Sequence, residues 1–220
     1  QKNSATLLTA WNIFNQTLNE VFDISLPTDY KMFLPKIYYN CGMYNNIRQI
    51  EQLINLNKDR KKVLICNNDF GSEQAISFGF DFIIDELARI FPDVMFFVTN
   101  ITGLYSTNKH LNVWFVPDII GKCDGCDLNE ISYLSTKCDV IIGRNSGPHT
   151  FSYVTENLLN PEKKFISFSA PSSLYGSDPE KFIDFGIREW CNKAECAQFF
   201  NVMKFTDKER IFEISKIIGG

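Results

Sequence analysis

The stretch DVIIGRNSGPHT, residues 139–150, decides the fold of this chain. Residues 139–142 predict the end of a buried parallel strand, and residues 143–147, with a glycine at each end, predict a tight turn. Pro148 is favoured at the first position of a helix because its missing N–H would have no partner there. The sequence therefore predicts a strand, a glycine turn and a helix that continues to Leu159.

This strand–turn–helix unit predicts a site for an anion. The first N–H groups of a helix have no partner within the helix, and the helix dipole adds positive potential at the same end. The side chains of Arg144, Ser146 and His149 supply further donors, and we expect Arg144 and His149 to be exposed at the cleft. A nucleotide diphosphate is the predicted ligand. The alternative is an ordinary strand-to-helix turn, in which the glycines serve only to reverse the chain.

The rest of the chain has an α/β pattern. Thr206 is a predicted N-cap, with Glu209 as its capping-box partner. Alternating strands and helices predict a Rossmann-like three-layer sandwich with a mostly parallel sheet. Further strands are predicted at residues 62–67, 94–99, 113–116 and 165–169, and further helices at residues 74–91, 129–137 and 207–218.

Polar residues follow the predicted strands, and ligands of such sheets bind beyond the carboxyl ends of the strands. Convergence of these residues predicts the ligand site, although strand ends are often polar simply because loops face water. The predicted binding residues are Asn68, Asp69, Thr99, Asn100, Asp118, Gly143, Arg144, Asn145, Ser146, Gly147 and His149.

The N-terminal residues lack strand–helix pairs of their own. Residues 7–22 predict an amphipathic helix, residues 36–39 a short extended piece, and residues 46–56 a further helix. We therefore expect residues 1–42 to be a helical extension or linker and residues 43–220 to form the Rossmann-like domain.

Composition limits the classes of partner. A formal net charge of −4, with scattered Lys and Arg, argues against a nucleic-acid binder. No apolar run reaches the length of a membrane-spanning helix, and no signal peptide is evident. The sequence predicts a cytoplasmic protein.

The seven cysteines allow several chemistries. Cys66 and Cys138 lie in or beside predicted strands and are expected to be buried, unreactive thiols. The CxxC pair at 123–126 and the pair Cys191 and Cys196 are irregularly spaced, without a flanking histidine, so no metal site is predicted. Free thiols are favoured, and a disulfide within either pair is the alternative.

The layout resembles the C-terminal, donor-binding half of a GT-B glycosyltransferase, most closely the ADP-heptose–lipopolysaccharide heptosyltransferases. In that family an extended linker leads through a helix to the first strand of the second domain, and a later strand, glycine turn and helix hold the diphosphate of the donor. The matching segments here are residues 34–38, 47–56, 61–65, 129–134 and 139–149.

The resemblance implies an inverting, metal-independent transfer from a nucleotide-diphosphate sugar, without other cofactors, in cell-surface glycan or glycoprotein synthesis. Arg144 or His149 would stabilise the leaving group, and Asp118 would meet the nucleoside. The acceptor, a glycan or a protein, would bind to an N-terminal half that these residues lack. The catalytic base is unassigned, and Asp69 or Asp118 could serve only with an acceptor brought by a partner chain.

This sequence departs from the family in two places. The turn carries Arg144 and Asn145 where an acidic and a small residue are usual, and Asn68 and Asp69 replace a basic residue after the first strand. The alternatives are a non-catalytic nucleotide or sugar-phosphate binding module and a Rossmann enzyme of another class. A dehydrogenase is disfavoured because no GxGxxG follows the first strand, and Ser146 lacks the GxSxG frame of a hydrolase.

Overall fold

A six-stranded parallel sheet organises the computed structural model of this chain. The strand order is β3-β2-β1-β4-β5-β6, so β3 and β6 are the edges. This order confirms the predicted Rossmann-like parallel sheet. The strands are β1 Lys62–Cys66, β2 Met95–Val98, β3 Val113–Phe115, β4 Val140–Gly143, β5 Lys164–Ser167 and β6 Gln198–Asn201. The structure describes residues 7–25, 34–40, 42–68, 78–101, 110–121, 127–144, 147–168, 193–202 and 206–220.

The central strands are continuous apolar runs because helices cover both of their faces. Every residue of β1, β2 and β4 is buried. Leu64 lies opposite Ile141 in the register of β1 and β4. The start of this pair is held by Asp139, whose Oδ2 accepts a hydrogen bond of 2.7 Å from the backbone N–H of Lys62.

The helices form two outer layers and complete the predicted three-layer sandwich. The apolar faces of α3 and α8 pack on one side of the sheet, and those of α2, α4 and α5 pack on the other. The helices are α1 Leu7–Phe22, α2 Met43–Leu56, α3 Asp81–Ile90, α4 Val116–Ile120, α5 Leu128–Thr136, α6 Pro148–Phe151, α7 Thr155–Leu158 and α8 Asp207–Gly219, with a 3-10 turn at Lys193–Glu195.

The helix after β4 differs from its prediction, since two one-turn helices, α6 and α7, replace one long helix. Val154 between them is extended, with φ −96° and ψ 159°. The backbone N–H and the hydroxyl of Thr155 both donate to the carbonyl of Pro35, at 2.8 and 2.9 Å. The second helix therefore begins where the N-terminal segment crosses the domain, a contact that local sequence does not reveal.

Three other boundaries differ from the predictions. The sequence analysis missed β6, a half-exposed edge strand of only four residues, which pairs in parallel with β5. Helix α3 begins at Asp81, because Phe78 and Gly79 are not helical, and residues 74–77 of the prediction lie outside the described residues. Strand β3 ends at Phe115, since Pro117 already lies in the first turn of α4.

The N-terminal segment contains the predicted helix α1, and α2 begins slightly earlier than predicted. Leu34 is buried in the core beneath α2, whereas Val21 and Phe22 at the end of α1 are more than half exposed. The division of the chain at residue 42 stays a prediction. No helix in the described part of the chain is long and apolar enough to span a membrane.

A capping box at the start of α8 should stabilise this helix, and its contribution can be measured. Thr206 Oγ1 accepts from the N–H of Glu209 at 3.4 Å, and Glu209 Oε2 accepts from the N–H of Thr206 at 3.2 Å, which confirms the prediction. We expect Thr206→Ala to lower the free energy of unfolding by about 1 kcal/mol, measured by urea denaturation. Thr206→Ser keeps the hydroxyl and should stay near wild type. Equal losses in the two variants would contradict a capping role.

Candidate functional site

The strand order reverses direction between β1 and β4, and this places a crevice at their carboxyl ends. From β1 the chain moves outward to β2 and β3, and it then returns to β4 on the other side of β1. Ligands of open α/β sheets bind at such a switch point. Cys66 and Gly143 are register partners at the ends of the two strands. The residues that follow them therefore flank the crevice.

Arg144 lies across this crevice and is buried, with 4% of its surface exposed. Its Nη1 donates to the carbonyl of Asn68 at 2.8 Å, and its Nη2 donates to the carbonyl of Phe78. The guanidinium carbon lies 5.0 Å from the ring centroid of Phe78 and 4.9 Å from that of Phe80. Arg144 lies at the carboxyl edge of the sheet, but its predicted exposure is wrong, because these rings and carbonyls enclose the side chain.

His149 is also buried, so its predicted exposure at the cleft is wrong too. Its ring packs edge-on against Tyr153 and Phe165, with centroids 5.3 and 5.9 Å away. Burial lowers the pKa of His149 to about 3, an effect that the backbone of Ile166 offsets only in part. The imidazole is therefore neutral near pH 7 and does not supply the predicted cation. Its place in α6 turns the side chain toward the sheet.

Two glycines shape the turn between β4 and α6. A Cβ atom at Gly143 would lie 2.8 Å from Cβ of Cys66 and 2.9 Å from Cβ of His149, so only glycine fits there. Gly147 has φ +48° and ψ −128°, a conformation that L-residues rarely adopt. Because α6 has only four residues, it offers the free N–H groups of one turn. Its dipole is much weaker than that of a longer helix.

Amide and hydroxyl groups tie the ends of β1 and β2 together. Thr99 Oγ1 lies 2.6 Å from Oδ1 of Asn68 and 3.1 Å from Oδ1 of Asn67. The side chain of Asn67 also pairs with the backbone of Asn100, accepting at 2.8 Å and donating at 3.0 Å. The structure thus brings three predicted residues together around Asn67, which the predicted set omits. Asn67 could have been found in the sequence as an amide side chain directly after a buried strand.

The remaining predicted residues lie elsewhere. Asp118 is exposed in the first turn of α4, after the edge strand β3. Since neighbouring strands are about 4.8 Å apart, β3 lies roughly 10 Å from β1 and farther from β4. Asp69, Asn145 and Ser146 lie outside the described residues. Within the part that the structure covers, no group of three or more His, Cys, Asp or Glu residues could hold a metal ion.

The cysteines divide into two kinds. Cys66 and Cys138 are buried free thiols, as predicted. Burial raises the pKa of both, that of Cys138 to about 12, so neither is reactive near pH 7. Cys196 is buried and disulfide-bonded, so the favoured expectation of a free thiol is wrong there. Its partner is not one of the two free thiols, and Cys191 and the CxxC pair lie outside the described residues.

The fold of this chain is similar to that of solved structures. The fold of this chain is similar to part of a heptosyltransferase-like GT-B structure. It is similar to the E. coli ADP-heptose lps heptosyltransferase II over 88% of this chain and 55% of that chain, with a TM-score of 0.50 and 11% identity. It also aligns with the glycosyl transferase family 9 protein from Veillonella parvula DSM 2008, over 84% of this chain and 45% of that one, with a TM-score of 0.41 and 12% identity.

These comparisons concern the fold. The chain spans about half the length of the two solved structures it matches. No protein-family profile and no curated protein matches the sequence. The structural resemblance predicted from the sequence is confirmed by the E. coli enzyme.

The close packing around Gly143 at the end of β4 can be tested by substitution. Gly143→Ala would force a Cβ atom against Cys66 and His149, and overpacking of this kind costs about 1–3 kcal/mol. We expect that loss in the free energy of unfolding, measured by urea denaturation. Gly79→Ala is the matched control, because no atom lies within 4 Å of its Cβ position. If both variants are as stable as wild type, the close contact at Gly143 is not a constraint.

The buried His149 gives a second test. The folded-state pKa is about 3 and the unfolded value is near 6.5, so the unfolded chain binds a proton first as pH falls. Stability attributable to His149 is therefore complete above about pH 6.5 and is lost as pH falls toward 3. Between pH 7 and pH 4 the free energy of unfolding should fall less in His149→Phe than in wild type. The difference between the two falls should be roughly 3 kcal/mol at most.

The measurement is urea denaturation at several pH values. His110→Gln is the control, since it removes the other histidine of the chain, which pairs with Asp85, and leaves His149 intact. The loss of stability with acid should be reduced more in His149→Phe than in this control. Parallel curves for His149→Phe and wild type would show that the imidazole titrates freely.

Proposed function

We propose that this chain binds a nucleoside-diphosphate sugar at the carboxyl edge of its sheet and acts as the donor-binding part of a glycosyltransferase. The observation that carries the proposal is the position of Arg144, a buried cation at the switch point between β1 and β4. Nucleotides bind at this point in sheets of this strand order. The fold shared with the E. coli heptosyltransferase II supports the same choice of ligand class.

Arg144 is suited to a diphosphate because its planar guanidinium can donate two parallel hydrogen bonds. In the structure its Nη atoms donate to two neutral carbonyls, those of Asn68 and Phe78. Charge-assisted hydrogen bonds to phosphate are about twice as strong as neutral ones. A diphosphate in the crevice would therefore accept strong hydrogen bonds from other N–H groups of the guanidinium, which these carbonyls hold in place. The free N–H groups of the first turn of α6 would add donors.

The proposed reaction is an inverting, metal-independent transfer. The acceptor hydroxyl oxygen attacks the anomeric carbon on the face opposite the diphosphate, and the bond from that carbon to the phosphate oxygen breaks. The electron pair leaves with the nucleoside diphosphate, and the hydroxyl proton passes to a base. Arg144 stabilises the charge that develops on the leaving group. His149 cannot share this task, because it is buried and neutral.

Asp118 follows the edge strand β3, away from the crevice, so we propose that the base comes from Asp69 or from an acceptor-binding half supplied in cis or in trans. The acceptor would be a glycan or a protein in cell-surface glycan or glycoprotein synthesis. The nucleotide-sugar is the substrate, and no other cofactor is proposed.

The cellular compartment is a separate question. The sequence predicted the cytoplasm, and this stays a prediction. The disulfide at Cys196 points against it, because structural disulfides persist in oxidising compartments and are rare in the cytosol.

The second candidate function is a binding module without transfer. The placement of Asp118 favours it, since in the described part of the chain no carboxylate directly follows β1 or β4. Both functions predict binding of a nucleoside diphosphate. They differ in turnover, which the module would lack even when the acceptor-binding half of a related enzyme is added.

Calorimetric titration tests the binding site. Wild type should bind one of the uridine, adenosine, guanosine or cytidine diphosphates, and Arg144→Met should weaken that affinity at least about tenfold, because a charged hydrogen-bonding partner is lost. The control is Arg89→Met, which removes an exposed arginine that pairs with Glu86 on α3. Its affinity should equal that of wild type.

A second variant probes the turn. Gly147→Val should also weaken binding, since valine is strained at the φ of +48°. Failure of all four diphosphates to bind would contradict the proposal. Unchanged affinity in both Arg144→Met and Gly147→Val would move the site away from this turn.

A further inference from the structure

Two buried arginines meet at one aromatic ring on the carboxyl side of the sheet. The guanidinium carbon of Arg210 lies 4.1 Å from the ring centroid of Phe78, and that of Arg144 lies 5.0 Å from it. Each arginine has 4% of its surface exposed. The face of an aromatic ring carries negative potential and attracts cations at these distances. The Phe78 ring is thus a shared partner of the two charges.

Arg210 comes from a distant part of the chain, the first turn of α8. Its Nη1 forms an ion pair of 2.7 Å with Oδ1 of Asp207, one turn earlier. Its Nε is buried and has no hydrogen-bond partner in the described part of the chain. A buried cation with an unsatisfied donor is a costly way to fill a core. Stability alone therefore gives a poor account of an arginine at this position.

Phe78 connects Arg210 to the crevice through two different groups. Its ring contacts Arg210, and its backbone carbonyl accepts a hydrogen bond from Nη2 of Arg144. The ring also packs edge-on against Phe168, at 5.0 Å between centroids, directly after β5. A displacement of Phe78 would therefore move an acceptor and a ring that both hold Arg144.

We propose that Arg210 is a positioning residue, which holds Phe78 so that its carbonyl and ring keep the guanidinium of Arg144 at the switch point. The consequence for ligand affinity rests on the proposed function, in which Arg144 binds the diphosphate of the donor. Arg210 itself does not touch the ligand. A purely structural Arg210 would affect the stability of the domain but not the surroundings of Arg144.

The first experiment requires no ligand. The Nε–Hε resonances of the arginines are recorded by NMR on the full chain, and that of Arg144 is assigned by its loss in Arg144→Lys. We expect this resonance to shift in Arg210→Met, which removes the charge and keeps an apolar stem. The matched control is Lys208→Met, which removes an exposed charge from the same turn of α8. A resonance that is unmoved in Arg210→Met would overturn the proposal.

The second experiment measures affinity for whichever of the four nucleoside diphosphates binds wild type. Arg210→Met should weaken it roughly three- to thirtyfold, the range that cation–π contacts allow, and Phe78→Leu should act similarly. Because the two residues act in series, the double variant should be no weaker than the weaker single variant. Additive losses, or an Arg210→Met affinity equal to that of Lys208→Met, would overturn the proposal.

A folding failure and a failure to bind ligand would have different consequences for the proposal. If Arg210→Met does not fold, Arg210→Lys and Phe78→Leu are compared by the same resonance of Arg144, and Arg210→Lys should shift it less because it keeps the charge. If wild type binds none of the diphosphates, the proposed function fails. The ligand-free resonance still decides whether Arg210 positions Arg144.

Discussion

The carboxyl edge of this sheet depends on the absence of one methyl group. Gly143 ends β4 so close to Cys66 and His149 that a Cβ atom would lie within 3 Å of both. This close approach lets the imidazole of His149 pack against the sheet, between Tyr153 and β5. The end of β4, which leads into Arg144, is thereby fixed by packing.

The charge at the crevice is unusual because apolar groups surround it. Phe78 and Phe80 lie beside the guanidinium of Arg144, which donates hydrogen bonds to two backbone carbonyls. In surroundings of low dielectric constant, a cation attracts an incoming phosphate more strongly than it would in water. Arg210 places a second buried cation in the same surroundings, because its guanidinium contacts the same Phe78 ring.

Local sequence predicted the elements whose signals are local. The apolar runs 63–65 and 140–142 identified the central strands, and Thr206 with Glu209 identified the start of α8. The failures came from contacts between distant segments. Thr155 breaks the helix after β4 by bonding to a carbonyl 120 residues earlier. Arg144 follows β4 as predicted, but its burial depends on Phe78 and Phe80, which lie before α3. The burial of His149 depends in part on Phe165 in β5.

The edges of the sheet limit how this domain meets other proteins. The two outermost strands, β3 and β6, have three and four residues. They therefore offer few unpaired backbone groups on which a foreign strand could be added. Two copies of the domain have little template for edge-to-edge aggregation into fibrils. A neighbouring domain would accordingly be recognised through side chains and loops, which separate and close again more readily than a shared sheet.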